Sequence, residues 1–271
     1  MARLMARRRN IVIAAGSLLA LAGVISGTVA VATQDTDGMG GVSAQGSASP
    51  DGKGGGGASA VPSDALPSGP VSASLAHETE RGGKNVALTI DDGPDPVWTP
   101  RTLAVLKQNG VKAVFCMIGP SARAHPDLVK QIVAAGHRLC DHSVDHNTAM
   151  DKRSEEYQRQ QVLDAKKMIE EAAGGTAAVH YYRAPGGAFT PYSRGLSAAN
   201  GMRPLGWNVD THDWQRPGVD RIVATVKREV REGPIILFHD GGGERSQSVE
   251  ALARCISWLK EEGYGFDFPK V

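Results

Sequence analysis

Val86-Ala87-Leu88-Thr89-Ile90-Asp91-Asp92-Gly93-Pro94-Asp95-Pro96 joins an uncharged, mostly apolar run to two adjacent aspartates and a Gly-Pro turn. Such a run is the pattern of a strand buried on both faces, the kind found in parallel sheets. Two carboxylates at its mouth repel each other and lose hydration, so a cation, a metal or a shared proton must compensate them. Asp-Gly and Gly-Pro are also ordinary turn signals. Taken alone, the stretch leaves a plain turn and a functional site equally open.

Downstream, the pattern alternates. Residues 99–109 have helical spacing at Leu103 and Leu106, and Gly110 ends them. A strand is predicted over 111–118, a helix over 128–135 closing at Gly136, and a short strand over 137–140. A long amphipathic helix over 154–173 carries Val162, Ala165, Met168 and Ile169 on one face. Strands follow at Tyr181-Tyr182, 202–209 and 234–238, with helices over 221–231 and 248–262. Regular alternation of strand and helix predicts an α/β fold with a parallel sheet. Sites in that class gather at the C-terminal ends of strands.

Upstream lies a different kind of chain. Arg3, Arg7, Arg8 and Arg9 precede an apolar stretch from Ile11 to about Ala32, with small residues at Ala30-Val31-Ala32. This is the layout of a signal peptide over 1–32. The stretch is also near the length that spans a bilayer, which leaves an uncleaved N-terminal anchor as the alternative. Gly16, Gly23 and Gly27 dilute its hydrophobicity and favour cleavage. Arg8-Arg9 also fits a twin-arginine pattern, although Arg pairs are common in such regions. Either route places the working part outside the cytoplasm, secreted or at the cell envelope. Residues 33–83 are rich in Gly, Ser, Ala and Pro and read as a flexible linker. The folded domain is then 84–271, long enough to bury a sizeable core.

The chain carries 30 basic and 29 acidic residues. Setting aside the four N-terminal arginines turns the balance mildly acidic, and no basic patch points to nucleic acid. Three cysteines, Cys116, Cys140 and Cys255, cannot all pair within one monomer. A Cys116–Cys140 disulfide is open if their strands are neighbours. Their apolar settings fit small buried side chains as well.

Four further clusters follow predicted strands. His142-Ser143-Val144-Asp145-His146 puts two imidazoles four apart, a spacing that on a helical turn places both rings on one face. With Asp92 they would make a two-His, one-carboxylate set with open positions. Arg183-Ala184-Pro185-Gly186-Gly187 offers a cation that is either solvated or buried against a carboxylate. Trp207-Asn208-Val209-Asp210-Thr211-His212-Asp213-Trp214 ends a strand with acids and aromatics side by side. Leu237-Phe238-His239-Asp240 carries a buried strand into a His-Asp pair.

These motifs, in this order between Thr89 and Asp240, resemble the polysaccharide deacetylase family, carbohydrate esterase family 4, whose catalytic part is the NodB homology domain. The resemblance covers essentially the whole folded domain and implies a distorted (β/α) barrel. It implies Asp91 as general base, Asp92, His142 and His146 as metal ligands, and Arg183 as the residue that orients Asp91. Asp213 is implied to hold Arg183, Trp214 to shape the pocket, Leu237 to wall the acetyl methyl, and His239 to act as general acid. Pro185 and Gly186 fall at the substrate subsite. The family usually has an aromatic where Gly186 stands, which predicts a more open rim here. The implied cofactor is a divalent metal, Zn²⁺ or another such as Co²⁺.

The implied activity is removal of acetyl groups from an extracellular carbohydrate polymer. N-acetylglucosamine in peptidoglycan or chitin-like chains comes first. O-acetyl xylan is the alternative within the family, and a catalytically inactive carbohydrate-binding protein is the alternative outside catalysis. Against inactivity, the base, the ligands and the acid are all present. No HExxH occurs, which argues against a metalloprotease. The expected partner is an acetylated polysaccharide or oligosaccharide met by a monomer, with a membrane involved only through an uncleaved N-terminus.

Overall fold

The computed structural model describes residues 71–271 apart from 176 and 231–234. The predicted leader, the linker as far as residue 70, the end of the 221–231 helix and the start of the 234–238 strand lie outside the described residues.

The opening stretch forms β1 (Asn85–Asp91), buried from its second residue onward. Around it lie β2 (Ala113–Met117), β3 (Arg138–Asp141), β4 (Val179–Tyr182), β5 (Arg203–Pro204), β6 (Val209–Asp210), β7 (Ile235–His239) and β8 (Gly265–Phe266). Their order in the sheet is β5-β4-β3-β2-β1-β7-β6, with β8 beside β1, and every pair is parallel. The sheet curls but its edges β5 and β6 do not pair, so the chain has a distorted (β/α) barrel with a seam. The helices are α1 (Trp98–Gln108), α2 (Gly119–Ala124), α3 (Pro126–Ala134), α4 (Glu155–Ala172), α5 (Pro191–Ala199), α6 (Val219–Glu229) and α7 (Ser246–Glu261).

Alternation along the strands sorts the core into two layers. Val86, Leu88 and Ile90 of β1 join Phe115, Met117 and the buried faces of the helices in the outer layer. Ala87, Val114, Cys116, Cys140, Tyr181 and Ile235 face the other way and fill the barrel. Asp91 lies two residues beyond Thr89 and four beyond Ala87, so it shares that inner face. Cys116 and Cys140 are register partners on β2 and β3 and form a disulfide inside the barrel. Cys255 is free and buried in α7.

Helix α4 starts where a cap dictates: the Ser154 hydroxyl accepts from the Tyr157 N–H at 3.3 Å, and Glu155 and Glu156 fill the first turn. Three expectations need correction. The predicted 202–209 strand is two short strands on opposite edges, because Leu205–Asn208 crosses the seam between them. Neither α2 nor α5 is expected from the sequence pattern, although α5 opens on a capping box between Thr190 and Ser193. The predicted linker also ends too late: Ala76 is buried and bridges to Leu205, and Thr79 bridges to Pro269. Glu80 then pairs with Arg138 at 2.5 Å, and the Arg138 guanidinium lies over the Phe268 ring. The foot of the barrel is thus closed by both flanks of the domain.

Candidate metal centre and active site

All five motifs meet at the C-terminal mouth of the barrel. Asp91 and His239 are register partners on adjacent strands, so both enter the mouth side by side. Asp91 Oδ1 accepts from Arg183 Nη1 at 2.7 Å, and its Oδ2 lies 3.5 Å from His142 Nε2. Arg183 is the largest fully buried side chain among the described residues. It plugs the seam: Nη1 also donates to Thr89 Oγ1 at 2.9 Å, Nε to the Leu205 carbonyl at 3.2 Å, and Nη2 to the Gly206 carbonyl at 2.9 Å. The Thr89 hydroxyl passes the chain on to the Ile236 carbonyl.

Asp92 Oδ1 is buried and has no hydrogen-bond partner among the described residues, yet His146 Nε2 stands 3.1 Å away and His142 Nε2 3.5 Å away. Ligand atoms of Asp92, His142 and His146 all lie within 4.8 Å of one another. His142 Nδ1 is 2.7 Å from the Arg183 carbonyl, so it donates there and leaves the Nε2 lone pair facing the cluster. Electron-rich atoms converge in this way around a proton or a cation. Two imidazoles and a carboxylate with open positions fit a transition-metal ion such as Zn²⁺. Burial works to raise the Asp92 carboxyl, but the His142 and His146 rings outweigh it and hold it well below the usual range. Burial likewise opposes the charged form of His142, while Asp91 and Asp92 raise its pKa.

The two histidines do not sit on a helical turn, contrary to the expectation from their spacing. Ser143 and His146 have φ of 69° and 54° within an irregular loop, and Asp92 has φ of 76°. Non-glycine residues avoid this region, and their gathering at one mouth marks a site that the surrounding structure holds in place. Gln161 of α4 does much of the holding: its Oε1 accepts the N–H groups of Val144 and Asp145 at 3.0 and 2.9 Å. The Tyr157 hydroxyl donates to Asp145 Oδ2 at 2.6 Å. Gln161 was missed by motif reasoning. Its signal is a polar residue on the buried face of an amphipathic helix, beside Val162 and Ala165.

Asp213 has a different partner from the one the resemblance implies. It does not hold Arg183; its Oδ1 pairs with His239 Nδ1 at 2.7 Å and its Oδ2 accepts the His239 N–H at 2.9 Å. The physical reason is placement. Asp213 follows β6, next to β7, whereas Arg183 follows β4 and is satisfied by Asp91 and the seam carbonyls. Burial opposes protonation of His239, but the bond to Asp213 and the charges of Asp213, Asp91 and Asp92 raise its pKa to about 9.

The residues expected at the substrate subsite line the same mouth. Leu237 is buried on the inner face of β7, two residues before His239. Pro185 is buried, Gly186 is exposed with φ of 60°, and Trp214 stands 48 % exposed at the rim. The rim is not simply more open at Gly186. A Cβ there would lie 3.0 Å from Thr148 Cβ, so the Thr148 side chain occupies the space that a larger residue would enter.

Comparison with known proteins agrees with this fold. The polysaccharide deacetylase family profile matches residues 78–205. A peptidoglycan-N-acetylglucosamine deacetylase of Bacillus cereus is 37 % identical over 191 residues, spanning 70 % of this chain and 88 % of the relative. A chitooligosaccharide deacetylase of Sinorhizobium fredii is 40 % identical over 195 residues, spanning 68 % and 89 %. Among solved structures, a family 4 pseudoenzyme from Bacillus anthracis superimposes with a TM-score of 0.66 at 31 % identity, covering 72 % of this chain and 67 % of that one. A barrel with Asp91 and His239 side by side, read together with these likenesses, makes the chain a member of the polysaccharide deacetylase family, carbohydrate esterase family 4, the hydrolases that deacetylate carbohydrate.

Proposed function

We propose that this protein is an exported, metal-dependent N-deacetylase acting on N-acetylglucosamine residues of peptidoglycan or chitin-like chains. The observation that carries this reading is the placement of Asp91 between Arg183 and the Asp92-His142-His146 cluster, with His239 as its neighbour. Asp92, His142 and His146 would hold a divalent cation, Zn²⁺ by their donor set, which would supply a Lewis acid for the acetyl carbonyl and lower the pKa of a water. Asp91 takes the proton of the attacking water, and Arg183 keeps its carboxylate in one orientation. The Gly186 backbone N–H is the candidate donor to the developing oxyanion. His239 gives a proton to the leaving nitrogen, and Asp213 fixes its ring and favours its charged form. Leu237 walls the acetyl methyl, and Trp214 offers a face for a sugar ring.

Export is supported by the basic-then-apolar N-terminus and by the Cys116–Cys140 disulfide, a bond at home in oxidising compartments. The test is acetate release by the zinc-loaded full chain from chitooligosaccharide, peptidoglycan and acetylated xylan side by side. Release from the two amide substrates is expected. Release from xylan alone would make it an O-acetyl esterase, and release from none would favour a carbohydrate-binding protein.

Proton donation by His239 sets a pH dependence. Its pKa is raised, so the acid form is populated at neutral pH and lost as pH rises through that value. Activity should therefore fall on the alkaline side. Asp213→Asn removes the charge that does most to raise it while keeping an oxygen for Nδ1. The alkaline limb of kcat/KM is expected to move to lower pH in that variant. A limb that stays in place would assign it to another group.

A further inference from the structure

Asp240 follows His239 and its residue is fully buried. Its backbone N–H donates to the Asp91 carbonyl at 3.0 Å. Its side chain packs against Gly93 so closely that a Cβ built there would lie 2.3 Å from Oδ1. Asp240 therefore grips the chain on both sides of Asp92. Its Oδ2 accepts from Thr99 Oγ1 at 2.6 Å, and Thr99 Oγ1 accepts the Asp95 N–H at 2.7 Å. Asp95 Oδ1 in turn accepts the N–H groups of Val97 and Trp98. Hydrogen bonds thus run from Asp240 to the first turn of α1, beneath the turn that carries Asp92.

Bracing alone does not require a carboxylate, since an amide of the same shape would accept from Thr99 equally well. Two features set this group apart. Oδ1 has no hydrogen-bond partner, and Asp240 forms no ion pair among the described residues. A buried carboxylate without a cation is unfavourable and persists where something else compensates it. Gly93, against which Asp240 packs, directly follows Asp92, whose own Oδ1 is buried without a hydrogen-bond partner among the described residues and belongs to the Asp92-His142-His146 cluster.

We propose that Asp240 is an outer positioning residue of the metal centre, which braces the Asp92 turn and adds a second buried negative charge that tightens binding of a divalent cation. The proposal rests on reading the cluster as a metal site. It is tested on the full chain with Zn²⁺ itself, by competition against a chromophoric chelator, together with urea unfolding of the metal-free protein. Asp240→Asn keeps size and the acceptor for Thr99. It is expected to weaken Zn²⁺ binding by about 10–100-fold. The metal-free unfolding midpoint should not fall, because the amide keeps the size and the acceptor for Thr99 on which the bracing rests. Unchanged Zn²⁺ affinity in the variant would overturn the proposal, and so would a fall in its metal-free midpoint, which would make Asp240 a structural residue only. Failure of the unmutated chain to bind Zn²⁺ would overturn the metal-site reading as well, so the two failures are distinguishable.

Discussion

Asp91→Asn is expected to lower kcat by about 10²–10⁴-fold while leaving the fold and Zn²⁺ affinity nearly unchanged. An amide of the same shape keeps an oxygen for Arg183 Nη1 at the position where Asp91 Oδ1 now accepts at 2.7 Å. What is lost is the capacity to take a proton. Asp91 is not among the three residues whose ligand atoms converge, so metal uptake and turnover should separate. The measurement is acetate release at saturating substrate, paired with chelator competition. Turnover near that of the unmutated protein would remove Asp91 from the role of base. A parallel loss of Zn²⁺ binding would instead make it a ligand.

Arg183→Met should carry the largest effect on stability, a loss of about 3–5 kcal/mol in chemical denaturation. The guanidinium is 1 % exposed, and burial lowers its pKa against the opposing pull of Asp91. Its removal strands the buried Asp91 carboxylate and leaves the Leu205 and Gly206 carbonyls without their donor. A double-mutant cycle with Asp91→Asn separates the two causes. If the stranded charge dominates, Arg183→Met costs less once Asp91 is neutral. An equal cost in both backgrounds would assign the effect to the seam carbonyls.

Much of the site was legible because its residues lie in short motifs directly after strands. Asp91-Asp92 at the mouth of an apolar run could be read from the cost of burying adjacent charges. His142 and His146 could be read from ligand chemistry, although the helical turn imagined for them was wrong. Their convergence depends on the left-handed backbone of Ser143 and His146, which no propensity announces. Gln161 lies 15 residues or more beyond the loop it holds, and Thr148 meets Gly186 only across the mouth. Neither contact has a local signature. The disulfide stayed open for the same reason, since strand adjacency had to be known before Cys116 and Cys140 could be paired.

Local sequence determined the alternation of strand and helix and the identity of the chemical groups, because burial patterns, caps and ligand types are written in neighbouring residues. Only the tertiary structure decided which group serves which. Asp213 orients His239 and not Arg183 because β6 lies beside β7, and Arg183 finds its carboxylate in Asp91 across the barrel. Hydrogen bonds act over about 3 Å, while these partners stand 26 and 92 positions apart along the chain. Strand order alone brings them within that reach.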